Sequence, residues 1–127
     1  MADPDDGASF IALKEPAQCI LWKEPERIVG KFAALFECLE TFEDESHLNR
    51  CLLKCRECGQ LYFYEFYEEI DWSDGDDPQY RTYIPVETPD EIEWLRKSSP
   101  LELMRFTPRL MRDFPTGGKA PRYGWIR

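Results

Sequence analysis

The sequence predicts an α+β fold: a three-stranded antiparallel sheet with one long helix before it and short helices after it. Three observations point there. Ile28, Phe32, Leu35, Phe36 and Leu39 follow helical spacing behind Pro25. The run from Gln60 to Ile70 is dense in aromatic residues, which suit a pleated sheet surface. A block of turn formers from Asp71 to Gln79 then separates that run from a second extended stretch, Tyr80–Val86.

With 127 residues, 43% of them hydrophobic and 14% aromatic, the chain is long enough for one domain with a modest core. Residues 1–7 are small and acidic and read as a disordered leader, 8–114 as a single α+β domain, and 115–127 as a basic tail containing glycine and proline. Ser9–Leu13 and Cys19–Trp22 are short apolar stretches, either strands or buried extended segments. Pro25 is placed where a first helical turn tolerates proline, so the long helix spans Pro25 to Leu39, with Gly30 weakening it. After the acidic break at Thr41–Ser46, strands are expected at about 49–55, 60–70 and 80–86, the last with Pro85 at a strand end. Thr88-Pro-Asp-Glu opens a helix carrying Ile92, Trp94 and Leu95. Ser98-Ser-Pro-Leu opens a second, and Thr107-Pro108 a third with Leu110 and Met111.

Between the first two strands stands Lys54-Cys55-Arg56-Glu57-Cys58-Gly59. A Cys-x-x-Cys-Gly turn puts two sulfurs on one side of a tight bend, and glycine tolerates the positive φ such a bend requires. Cys55, Cys58 and Gly59, followed by a strand, resemble one knuckle of a zinc ribbon or treble clef. That resemblance implies a structural Zn²⁺ held by two of its four tetrahedral corners. The second Cys-x-x-Cys of a full ribbon is missing, so the other ligands must come from elsewhere. If residues 47–55 were helical, His47, Cys51 and Cys55 would share a face as neighbours at about 6 Å. As a strand, Cys51 and Cys55 lie about 13 Å apart and cannot hold one ion. The strand is favoured, because Gln60–Ile70 needs a pairing partner. The expected ligand set is then Cys55 and Cys58 with Cys38 and His47, or with Cys19 in place of His47.

Charge narrows the functional classes. The chain carries a net −9, but Arg96–Arg127 holds eight Lys/Arg against two Asp/Glu. An acidic body repels nucleic acid and suits a basic protein partner. The basic end is expected to fold back on that body. Tyr62, Tyr64 and Phe66 alternate with Leu61, Phe63 and Glu65, so one sheet face is a candidate protein-interaction surface. Five cysteines without a signal-peptide pattern suit thiols or metal ligands in the cytoplasm better than disulfides. The acidic loop from Asp71 to Asp77 lacks EF-hand spacing, Gly117-Gly118-Lys119 lacks the rest of a P-loop, and the single His47 has no triad to join.

The expectation is therefore a small, zinc-stabilised, non-catalytic interaction module, one version being an immunity-like protein that masks a basic toxin. Two alternatives stand beside it. One is a small enzyme using the carboxylates near Glu65–Asp77 or a Cys thiolate; the other is a nucleic-acid adaptor docking through the basic C-terminal segment.

Overall fold

The computed structural model describes residues 10–69, 77–115 and 119–127. Its architecture is mostly β: a six-stranded antiparallel sheet, a two-stranded parallel sheet and four short α-helices among the described residues. The expected α+β fold with three strands and one long helix is thereby corrected. The three middle strands stand near their expected places, as β3 (Leu48–Cys55), β4 (Leu61–Glu68) and β5 (Gln79–Val86). They are flanked by β2 (Phe36–Asp44) on one side and by β7 (Arg109–Phe114) and β8 (Arg122–Ile126) on the other. The order β2-β3-β4-β5-β7-β8 makes one continuous antiparallel sheet, with β2 and β8 at its edges.

The long helix fails for a visible reason. Pro25–Val29 is one 3-10 segment, Gly30 is extended at φ −72° and ψ −174°, and α2 is only Phe32–Leu35. Ile28 and Phe36 are buried, whereas Phe32 and Leu39 are 40% and 45% exposed, so the five residues never formed one apolar stripe. Register shifts between Cys38 and Glu40 and between Thr41 and Glu43 interrupt the period-two alternation of β2. Phe36 and Leu39, three apart in the sequence, therefore imitate a helix although in β2 one is buried and the other exposed. The expected third helix is likewise β7, in which Leu110 lies opposite Tyr83 on β5. The basic end does pack on the body, β7 pairing with β5 and the Arg112 guanidinium donating to the Ile28 carbonyl at 3.1 Å, but it lies away from the acidic edge strand: Arg122–Ile126 pairs with β7 at the sheet edge opposite β2.

Both faces of the sheet are covered, which explains the density of aromatics in β4. On one face Phe36, Leu53, Cys55, Tyr62, Tyr64, Tyr83 and Leu110 pack with Cys19, Leu21 and Ile28 of the N-terminal segment. That segment contains α1 (Ile20–Lys23), held by the Trp125 indole N–H donating to the Leu21 carbonyl at 2.8 Å and by Trp22 edge-on to Trp125. On the other face Phe63, Ile84 and Val86 meet Leu95 of α3 (Pro89–Arg96), Leu103 of α4 (Pro100–Leu103) and Phe106. Both helices begin with capping boxes, Thr88 with Glu91 and Ser99 with Glu102. β1 (Ile11–Ala12) pairs in parallel with β6 (Phe106–Thr107) on this second side. Between Leu13, which packs against this second side, and Cys19, which belongs to the first, the chain crosses from one face of the sheet to the other.

One buried ion pair lies within the sheet. Arg50 on β3 is directly opposite Glu65 on β4, with Nη2 at 2.7 Å and Nε at 2.9 Å from Glu65 Oε2, and both side chains are about 95% buried. Arg50 also donates from Nη1 to the carbonyl of Arg96 at the end of α3, at 3.2 Å.

Candidate metal centre

The Cys55–Gly59 turn has the geometry its residues require. The Cys55 amide donates to the Gln60 carbonyl at 2.8 Å and the Gly59 amide to the Cys55 carbonyl at 2.9 Å, closing the bend between β3 and β4. Gly59 adopts φ +82°, the left-handed region that a Cβ disfavours. A Cβ there would meet nothing closer than the Lys54 side chain at 3.8 Å, so the strain of substitution lies in the backbone alone. Gly59→Ala is expected to cost about 1–2 kcal/mol in chemical denaturation and to weaken metal binding with it. The turn is further anchored to α2: the Arg56 amide donates to the Leu35 carbonyl and its Nε to the Ala33 carbonyl, both at 2.9 Å.

A third sulfur reaches this turn from the other layer. Cys19 is the N-cap of α1, its amide held by the Pro16 carbonyl at 2.9 Å, and its carbonyl accepts from the Trp22 amide at 3.0 Å. The Sγ atoms of Cys19, Cys55 and Cys58 all lie within 4.8 Å of one another. Cys19 and Cys55 are buried and Cys58 is exposed, so the group opens to solvent on the Cys58 side. All five cysteines are free thiols. The buried Tyr62 hydroxyl donates to Cys19 Sγ at 3.0 Å, a contact suited to a sulfur carrying negative charge. Burial first of all pushes the Cys19 thiol up to about 12, the Tyr62 hydrogen bond pulling the other way. Burial likewise raises the Tyr62 hydroxyl, with Cys19 adding to the effect. A cation that replaced the protons would convert a desolvated group of thiols into a ligand set.

The other expected ligands lie elsewhere. Cys38 is exposed on edge strand β2, its sulfur 3.9 Å from the Glu40 carbonyl and 3.8 Å from the Thr41 hydroxyl. It faces Cys51, whose thiol is pushed up to about 12 by burial, with Cys38 contributing. His47 stands at the opposite end of β3 from Cys55, about 26 Å away at roughly 3.3 Å per residue. Its Nδ1 is 3.1 Å from Glu68 Oε1. Cys19, which the sequence offered only as an alternative, is the third sulfur the fold brings to the turn. It lies in no ligand-like spacing with Cys55, and only the crossing of the N-terminal segment brings it there.

The residues of the expected interaction surface are largely covered. Tyr62 and Tyr64 are buried and Phe66 is half-buried, all packed beneath the N-terminal segment. Of the carboxylates proposed for acid–base work, Glu65 is engaged by Arg50, and Glu68 by His47 and by the Gln79 amide at 3.2 Å. Most of the acidic loop at 71–77 lies outside the described residues, as does Gly117-Gly118. Among the described residues, no helix is long and apolar enough to cross a membrane. Compared with protein-family models, curated proteins and solved structures, the chain matches none.

Proposed function

We propose that Cys19, Cys55 and Cys58 hold one Zn²⁺ that staples the N-terminal layer to the sheet, in a non-catalytic module that binds a basic protein partner. The observation that carries this reading is the convergence of three thiols from two separate layers. A tetrahedral ion with Zn–S bonds of about 2.3 Å needs sulfurs about 3.8 Å apart, and the three Sγ atoms, within 4.8 Å of each other, need only a small closure. Soft thiolates favour zinc over the oxygen-seeking Mg²⁺ and Ca²⁺. Free thiols throughout fit a reducing compartment such as the cytoplasm.

The acidity of the body supports the partner. Edge strand β2 exposes Glu37, Glu40, Glu43 and Asp44, with Glu45 following, and has no basic residue. The basic Arg122 and Arg127 belong to the far edge of the sheet. Across the ladder Glu37 stands opposite Lys54 and Glu43 opposite Arg50, which Glu65 already engages, so the edge keeps an excess of negative charge, a field that draws in basic surfaces.

Metal analysis of three purified forms tests the ligand set. Wild type and Cys38→Ser are expected to carry one zinc per chain, and Cys19→Ser none. Zinc lost from Cys38→Ser and kept in Cys19→Ser would refute the assignment.

A further inference from the structure

Three thiolates leave one corner of a tetrahedral ion unfilled, and the described residues place no fourth His, Cys, Asp or Glu in the group. The ion with three thiolates carries a net charge of −1, so a neutral imidazole adds less repulsion than a fourth thiolate, and Cys₃His is an established closed set for zinc. This chain has a single histidine, and that histidine is held as a metal-ligating one is. Its Nδ1 is fixed by the Glu68 carboxylate at 3.1 Å, whose other oxygen accepts from Gln79 at 3.2 Å. A ligating imidazole characteristically gives its second ring nitrogen to a carboxylate in this way, which fixes the tautomer and leaves Nε2 for the ion. His47 is 53% exposed, and among the described residues its hydrogen bond is made by Nδ1. It is too far along β3 to reach the cysteines of its own chain.

We propose that His47 completes the zinc site of a second copy of this chain, giving a metal-bridged two-fold dimer; this rests on the zinc reading above. The midpoint between residues 47 and 55 on β3 is Cys51, whose ladder partner on edge strand β2 is Thr41. A two-fold axis near that pair sets the two β2–β3 hairpins antiparallel, so that each histidine meets the other copy's cysteine turn. Both bridges form at once, as an isologous interface demands. Leu39, a large apolar side chain 45% exposed, stands two residues from Thr41 and is covered in such a pair. Glu37, Glu40 and Glu43 on the two β2 strands repel across the axis. The dimer therefore depends on the metal and tightens as salt screens that repulsion.

Sedimentation of the full chain with one equivalent of zinc, then with chelator, tests this. Zinc should give twice the 15.0 kDa chain mass, and chelator should return the monomer. His47→Ala should stay monomeric while keeping one zinc per chain. Glu68→Gln, with the imidazole no longer oriented, should weaken dimerisation by about 10–100-fold. Mixing His47→Ala with Cys58→Ser should give a heterodimer held by a single complete site, weaker than the wild-type dimer, which neither variant forms with itself. A zinc-loaded wild type that remains monomeric, or a His47→Ala chain that dimerises as the wild type does, overturns the inference while leaving the zinc staple standing. A wild type without zinc overturns both.

Discussion

Cys19→Ser is expected to lose the metal and to lower the melting temperature by about 12–20 °C relative to the zinc-loaded wild type. A ligand present at a thousandfold excess over its Kd stabilises the folded state by about 4 kcal/mol, and each kcal/mol moves Tm by roughly 3–5 °C in a domain of this size. The loss should be concentrated where Cys19 acts. The N-terminal segment covers the face carrying Tyr62, Tyr64 and Tyr83 and is tied to the body through α1. Hydrogen exchange should therefore accelerate first across residues 16–35. The ladder of β3, β4 and β5 should remain protected, because it keeps both neighbours and the second core around Phe63 and Ile84. Chelation of the wild type should reproduce the same pattern. Cys38→Ser, altering an exposed edge residue, should melt as the wild type does. Unchanged melting of Cys19→Ser in the presence of zinc would remove the staple from the account.

The second large effect concerns Arg50. Arg50→Ala is expected to cost about 3–5 kcal/mol in denaturant unfolding, because it leaves the Glu65 carboxylate buried without its counter-charge. Replacing both partners by apolar residues, Arg50→Met with Glu65→Leu, should cost far less and at best stabilise the fold, since two desolvation penalties disappear together. The single variant also carries a pH signature. Burial raises the Glu65 carboxyl and Arg50 opposes that rise, so removing Arg50 raises it further. The native state then binds more protons than the unfolded state between the unfolded carboxylate value of about 4.3 and the raised folded value. The stability of Arg50→Ala should accordingly increase as pH falls through that window. A stability independent of pH between 7 and 5 would contradict the burial of an unpaired Glu65.

The middle of the fold was legible in the sequence and its margins were not. Gln60–Val86 declares a hairpin through aromatic density around a block of turn formers, and Thr88 and Ser99 declare helix starts through capping chemistry; these signals are local. β2 was unreadable because its register shifts replace alternation by a spacing of three, and an exposed acidic edge strand has little apolar pattern to show. β7 and β8 were hidden because Pro108 suits a helix start as well as the residue before a strand, and because glycine-containing, arginine-rich segments resemble loops until a neighbouring strand pairs with them.

The candidate site divides in the same way. Cys55, Cys58 and Gly59 are a local motif whose bend follows from its own residues. Cys19 joins them only in the tertiary structure: its place depends on the crossing of the N-terminal segment between layers, which no spacing records. His47 is legible as a ligand type, but its position at the far end of β3, beside Glu68, depends on the strand pairing.

The central claim is the three-sulfur ligand set. X-ray absorption at the zinc edge of the purified, zinc-loaded protein reads that set directly. Three sulfur atoms near 2.3 Å and one nitrogen or oxygen near 2.0 Å are the result expected for three thiolates and one lighter donor. A shell made only of nitrogen and oxygen, unchanged in Cys19→Ser, would contradict it.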